Sequence, residues 1–200
     1  MPLLAQQELL EVPPARSVIV PAGHCAWWGV DVSVSRVAVA YVASDGHRGA
    51  RTALFADLKG GARLAHIWAE TGLLVAELVR DGWPLPGLVW VEQPSGSQPN
   101  PALSYATGVI QGAVFDALQR ATGRSVLVET VSSAAWKKQA TGYGSHYKPT
   151  KAKLGRRPVF EDYGVARWAR GLGYRGDSWD EADALGISEA ARRTVRLEAR

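Results

Sequence analysis

One cysteine in 200 residues, Cys25, leaves no partner for an internal disulfide, so the fold must rest on a packed core. That scarcity agrees with a reducing cytoplasm. No apolar run approaches the ~18 residues that a membrane span needs. The first residues, MPLLAQQELLEVPPARS, have no basic stretch leading into an apolar one, so no secretory signal is expected. The four histidines, His24, His47, His66 and His146, are scattered without metal-ligand spacing, and with a single cysteine they give no zinc motif. There is no internal repeat and no low-complexity tract.

What is present is the composition of a globular domain: 46% hydrophobic and 21% charged residues. The length suits one medium domain or two small ones. Net charge is only +4, but it is unevenly spread. Between Trp136 and Arg175 there are ten Lys/Arg and two acids, Glu161 and Asp162, while the rest of the chain is mildly acidic. A basic segment on an acidic body fits either a polyanion partner or a solvated surface loop.

Period-2 alternation of β-branched residues in WWGVDVSVSRVAVAY, residues 27–41, predicts a strand near 26–33, a turn and a strand near 36–43. A third strand is expected near 50–56. The stripe of Leu64, Ile67, Trp68, Leu74, Val75 and Leu78 predicts a helix over about 62–81. GLVWVEQP, 87–94, reads as a central strand covered on both faces. A helix at 100–123 can be capped by Asn100, and its Gly108 and Gly112 permit close packing. A fifth strand is expected at 125–131, a loop at 141–158, and helices at about 159–171 and 178–196. Residues 1–24 read as a poorly packed extension and 25–200 as the domain. The order is α/β with a central mixed sheet.

Acidic residues occupy positions that a bland fold would avoid. Asp31 lies within the first strand of the alternating pair, where a buried charge is costly unless paired or bound to metal. Glu92 ends the central strand. Asp180 and Asp183 open the last helix, where Ser178 and Glu181 have the spacing of a capping box. Asp180 is compatible with capping and the helix dipole. Asp183 shares a face with Trp179, Ile187 and Ala190, which is the apolar face. Carboxylates gathered in a poorly solvated place repel one another, and hard divalent cations such as Mg²⁺ relieve that cost.

The succession GVDVS, VEQP, NPALSYATGVIQGAV, WKKQATGYGSHYK and DEADAL, from about residue 26 to 195, resembles the motifs of the RuvC family of Holliday junction resolvases, and is similar to its phage-type members, within the RNase H-like nuclease superfamily. The resemblance implies an RNase H-like fold with a five-stranded mixed sheet flanked by helices. It implies a tetrad of Asp31, Glu92, Asp180 and Asp183 holding two Mg²⁺ ions, with Mn²⁺ as a substitute. The family's basic residues around its Gly-x-Gly loop match Lys138 and Lys148, with Gly142 and Gly144 between them. Ser95 stands where the family's well-known member has an aromatic residue.

The implied activity is nicking of four-way DNA junctions by a cytoplasmic homodimer, in a bacterium or a phage-infected host cell. A broader fork and flap nuclease, an RNase H-type hybrid nuclease and a non-catalytic DNA-binding relative are the alternatives. Asp31 is the expected shared metal ligand, with Lys138 or Lys148 beside the phosphate. Lys137, Lys138, Lys148, Lys151, Lys153, Arg156 and Arg157 are the expected DNA-backbone contacts. Trp136, Tyr143, Tyr147 and Trp179 are interleaved with them as candidate stacking surfaces, and Tyr143 and Tyr147 are retained as DNA contacts. Trp27, Trp28, Trp68 and Trp90 are assigned to packing.

Overall fold

The structure is a computed structural model that describes residues 16–93, 101–143, 148–150, 154 and 156–199. Five strands form the main sheet, in the order β4-β3-β2-β5-β6. The hairpin partners β2 (Ala26–Val32), β3 (Arg36–Ala43) and β4 (Arg48–Leu54) are antiparallel. β5 (Pro86–Gln93) and β6 (Leu127–Ser132) join parallel to β2, so the sheet is mixed, as expected. The parallel pairs need crossovers, and these are α1 (Gly60–Arg80) and α2 (Pro101–Thr122).

The two helices cover one face of the sheet. Trp28, Val30, Val37, Val39, Val89 and Val91 pack there against Ile67, Leu74, Leu78, Ile110 and Leu118. The other face carries α3 (Ser133–Thr141), α4 (Gly164–Gly171) and α5 (Trp179–Thr194), with Trp27, Leu88, Trp90, Trp136 and Ile187 between them. β5 is therefore buried on both sides, which explains its unbroken apolar run. Trp27, Trp28 and Trp90 are core residues, whereas Trp68 is partly exposed and lays its ring against Gly112. Gly112 serves internal packing, and a side chain at Gly108 would meet open space.

Four elements depart from the expected pattern. Residues 16–20, expected within a poorly packed extension, form β1 (Arg16–Val20), which pairs in parallel with β7 (Val195–Ala199). Gly87 makes room for that ribbon, because a side chain there would meet Val20 and Leu197. The last helix stops at Thr194, since the chain becomes extended at Val195 to make this pairing. The expected helix at 159–171 is a 3₁₀ turn (Phe160–Asp162) followed by α4. α3 was not anticipated; Ser132 caps it by accepting from the Ala135 N–H, and Gly142 ends it in the left-handed conformation at φ 83°. No helix among the described residues is long and apolar enough to cross a membrane.

Candidate active site

Asp31 is on β2, with its side chain on the face of Trp27 and Gly29. That alternation directs it toward α5. Gly29 makes the approach possible, because a Cβ there would run into the backbone of Ala184 and Ser188. With no side chain between them, strand and helix pack backbone to backbone, and the first turns of α5 reach Asp31. Ser178 fixes that helix start by accepting from the Glu181 N–H at 3.2 Å. Only half of the anticipated capping box forms. The Glu181 carboxylate instead accepts from Thr52 Oγ1 at 3.1 Å and Tyr174 Oη at 2.5 Å, which ties α5 to β4 and to the segment before it.

Each remaining carboxylate has its own support. Asp183 is 3% exposed and accepts from Tyr163 Oη at 2.6 Å; Tyr163 is itself fully buried and packs against Trp179. Glu92 ends β5 and accepts from Trp136 Nε1 at 3.3 Å. Trp136 is fully buried because Gly186 on α5 leaves space for its ring. The buried Glu189 accepts from Arg192 and Arg193, and Arg193 also donates to the Gln139 carbonyl, so α5 holds the helix that carries Trp136. Asp180, at the helix start, pairs with Arg36 at 3.2 Å.

Lys148 joins the set. Its Nζ lies 2.7 Å from Asp180 Oδ1, 2.9 Å from Asp183 Oδ2 and 3.8 Å from Asp31 Oδ2. Burial works to lower the affinity of this ammonium for its proton, and Asp31, Asp183 and Asp180 overcome that, so its pKa rises. The carboxyls lean the other way. Burial, then the charge of Glu92, pushes Asp31 well above the usual carboxylate range despite Lys148. Burial likewise raises Asp183, although Lys148 and Tyr163 oppose it. Even with Lys148 counted, the cluster is short of positive charge.

The structure thus brings together Asp31, Glu92, Asp180, Asp183 and Lys148. Lys138 lies on the exposed side of α3 and pairs with none of the four carboxylates. Lys137 stands over the Trp136 ring at 5.1 Å. Trp136 offers no stacking face, because its ring is sealed beneath α5, and Trp179 is half-buried, donating to the Phe160 carbonyl. Tyr143 is 71% exposed. Arg156 is held by both oxygens of Asp162, at 2.7 and 2.6 Å, which lowers the Asp162 pKa. Arg157 is exposed. Ser95, Gly144, Tyr147, Lys151 and Lys153 lie outside the described residues.

Three supporting residues carry no sequence signal specific to that role. Arg36 follows the turn after the Asp31 strand, so hairpin geometry alone would bring it near. Trp136 reads in the sequence as a surface for bases, and Tyr163 carries no local signal.

The donor set fits divalent cations: four carboxylates, oxygen only, with an ammonium already drawn to three of them. Among the described residues no three His, Cys, Asp or Glu side chains stand ready to enclose an ion. The carboxylates are turned onto Lys148, Tyr163, Trp136 and one another.

No protein-family model matches the chain, and no curated protein matches it by sequence. Solved structures do resemble it. Thermus thermophilus RuvC aligns with a TM-score of 0.53 and 22% identity over 84% of this chain and 93% of that one. T. thermophilus RuvC in complex with a Holliday junction substrate aligns with a TM-score of 0.56 and 21% identity over the same shares, 84% and 93%. The yeast mitochondrial Holliday junction resolvase Ydc2 gives 0.45 and 13% identity, over 88% and 80%. The fold is RNase H-like, an α/β fold with a five-stranded mixed sheet.

Proposed function

We propose that this chain is a divalent-metal-dependent endonuclease that nicks branched DNA, with four-way junctions as its main substrate, and that it acts as a homodimer. The observation that carries this reading is the carboxylate cluster at the end of an RNase H-like sheet, where Asp31, Asp180 and Asp183 converge on one ammonium and the charge of Glu92 acts on Asp31. The structural neighbour solved with a Holliday junction supports the choice of DNA. A four-way junction has near two-fold symmetry and needs two cuts, which suits a symmetric dimer.

Asp31, Glu92, Asp180 and Asp183 would hold the metal. A metal pair held by these residues would supply an activated water and neutralise charge on the departing oxygen of a phosphodiester. The chain's own residues prepare that chemistry. β2 gives Asp31 a rigid mount, more precise than a loop. Tyr163 and Trp136 fix one oxygen each of Asp183 and Glu92, and the second oxygen of Asp183 faces Lys148. Lys148 is flexible enough to turn from the carboxylates toward a bound phosphate, whose charge it would neutralise. Arg36 holds Asp180 at the rim.

The test is incubation with labelled four-way junction, fork, flap, duplex and RNA–DNA hybrid in Mg²⁺, Mn²⁺ or chelator. Metal-dependent nicks on the four-way junction are expected. Cleavage of the hybrid alone would make it an RNase H-type enzyme, and cleavage of none would leave a DNA-binding relative.

A further inference from the structure

A cavity of about 300 Å³ lies between β4 and the segment that joins α4 to α5. Its walls place it on the face of the sheet that carries the carboxylates. Leu185, on α5 two residues after Asp183, is one wall. Tyr174 is another, and its hydroxyl donates at 2.5 Å to Glu181, the neighbour of Asp180. Alternation puts Arg48, Ala50 and Thr52 of β4 on one face. That face is the α5 side, because Thr52 bonds Glu181 and Ala50 packs against the cluster that contains Ile187. A row of side chains thus leads from Thr52, beside the candidate active site, to Arg48 about 13 Å along the strand.

Two arginines from separate elements, Arg48 and Arg175, line this cavity. Among the described residues neither guanidinium has a hydrogen-bond or ion-pair partner. Nearby arginines do: Arg36 pairs with Asp180, Arg51 with Asp81 and Arg170 with Glu161. Glu181 is committed to Thr52 and Tyr174. Two like charges therefore face one concavity with no acid set against them, which favours an anion. The backbone adds a donor. The Ala43 N–H donates to the His47 carbonyl and the Phe55 N–H to the Ser35 carbonyl, each at 2.8 Å. These bonds fix which β3–β4 pairs are bonded, and Ala50 falls between them, so its N–H points out of the free edge of the sheet. The opposite wall is held firmly. The Tyr174 N–H donates to the Ala169 carbonyl at 3.0 Å, and Arg170 donates to the Tyr174 carbonyl at 3.0 Å.

We infer that Arg48, Arg175 and the Ala50 N–H hold one backbone phosphate of a DNA arm, apart from the phosphate that is cut. The inference rests on the nuclease reading above and specifies where the arm is gripped as it leaves the site. Tyr174 and Leu185 offer apolar surface to the adjoining sugar. Such a contact carries no base information and instead fixes the register of the arm. One strand of a duplex advances about 3.4 Å per nucleotide, so a span of about 13 Å places the gripped phosphate about four nucleotides from the cut.

The experiment uses the full chain and four-way junctions carrying one methylphosphonate, a neutral linkage, at successive phosphates on either side of the mapped nick. Binding is measured in chelator. A neutral linkage about four nucleotides from the nick should weaken wild-type binding about three- to fivefold, the worth of an exposed ion pair. In the double variant Arg48→Gln with Arg175→Gln, the same linkage should cost nothing further. On unmodified junctions that variant should lower the slope of log affinity against log salt by about 1, the value of one phosphate contact. A wild type indifferent to every linkage about three to five nucleotides from the nick, an equal further loss in the double variant, or an unchanged slope would overturn the subsite. The wild-type scan needs no altered residue, so it decides the matter even where the double variant fails to fold. If the wild type nicks junctions while any of these contrary results is seen, the subsite alone fails. If the wild type leaves branched DNA intact, the nuclease reading fails and this ligand with it.

Discussion

Lys148 Nζ stands 2.9 Å from Asp183 Oδ2, and the same ammonium reaches Asp180 at 2.7 Å. One side chain therefore offsets charge on a cluster that would otherwise repel itself. Lys148→Met removes the cation and keeps the stem. Losing one partner of a buried pair costs several kcal/mol, but Lys148 is partly solvated. A loss of about 1–2 kcal/mol is expected in chelator, or roughly 2–8 °C in Tm. Added Mg²⁺ should recover most of it. Thermal melts that are equal with and without Mg²⁺ would show that the ammonium is not a counter-charge for this site.

Gly29 and Ala184 are in backbone contact, and this packing sets the distance between Asp31 and Asp183. Gly29→Ala would force α5 outward. Overpacking of this kind costs about 1–3 kcal/mol, or roughly 2–12 °C in Tm. Nuclease activity should fall far more than stability does, because all four carboxylates depend on this spacing. A variant that melts lower yet cuts at the wild-type rate would argue against that dependence.

The raised pKa of Asp31 has a stability consequence. Burial, then Glu92, makes the folded protein hold this proton more tightly than the unfolded chain does. The associated stability is complete below the unfolded carboxylate value, near pH 4, and is lost as pH rises through the folded value. In chelator, wild-type Tm should therefore decline toward neutral pH more steeply than that of Asp31→Asn. At pH 7 Asn should be the more stable, by on the order of 1 kcal/mol. Parallel Tm–pH curves would refute the assignment of Asp31 as a strained acid.

Tyr163 donates to Asp183 from a fully buried position at 2.6 Å. Tyr163→Phe keeps the packing against Trp179 and removes only the hydroxyl. Metal affinity, read by Mn²⁺ titration, should weaken about 10–100-fold, the usual effect of losing a residue that orients a ligand. A purely structural tyrosine would shift Tm and leave the Mn²⁺ affinity alone.

Much of this arrangement was legible in the chain because its signals are local. Alternation exposed the β2–β3 pair, and a carboxylate among buried valines marked Asp31. The apolar spacing around Asp183 put it on the inner face of its helix. What was not legible depends on contacts far apart in sequence. β1 and β7 pair across the length of the chain, so neither shows except as a short apolar segment. α3 is nine residues long, and its one strong signal, Trp136, reads equally well as a surface ring. Lys138 and Lys148 were equivalent candidates by position near a Gly-x-Gly; only tertiary packing turns one of them into the carboxylates. Arg156 looked available for phosphate until Asp162, six residues on, was found to hold it.

If Asp31 anchors a metal-dependent cut in branched DNA, its amide replacement must lose nicking and keep binding. The most direct measurement compares wild type and Asp31→Asn on one labelled four-way junction, scoring binding by gel shift and nicking in Mg²⁺. The expected result is equal binding, metal-dependent nicking by the wild type, and a loss of at least about a thousandfold in the variant, several kcal/mol of transition-state stabilisation. Nicking by Asp31→Asn at the wild-type rate, or a wild type that leaves the junction intact in both Mg²⁺ and Mn²⁺, would contradict it.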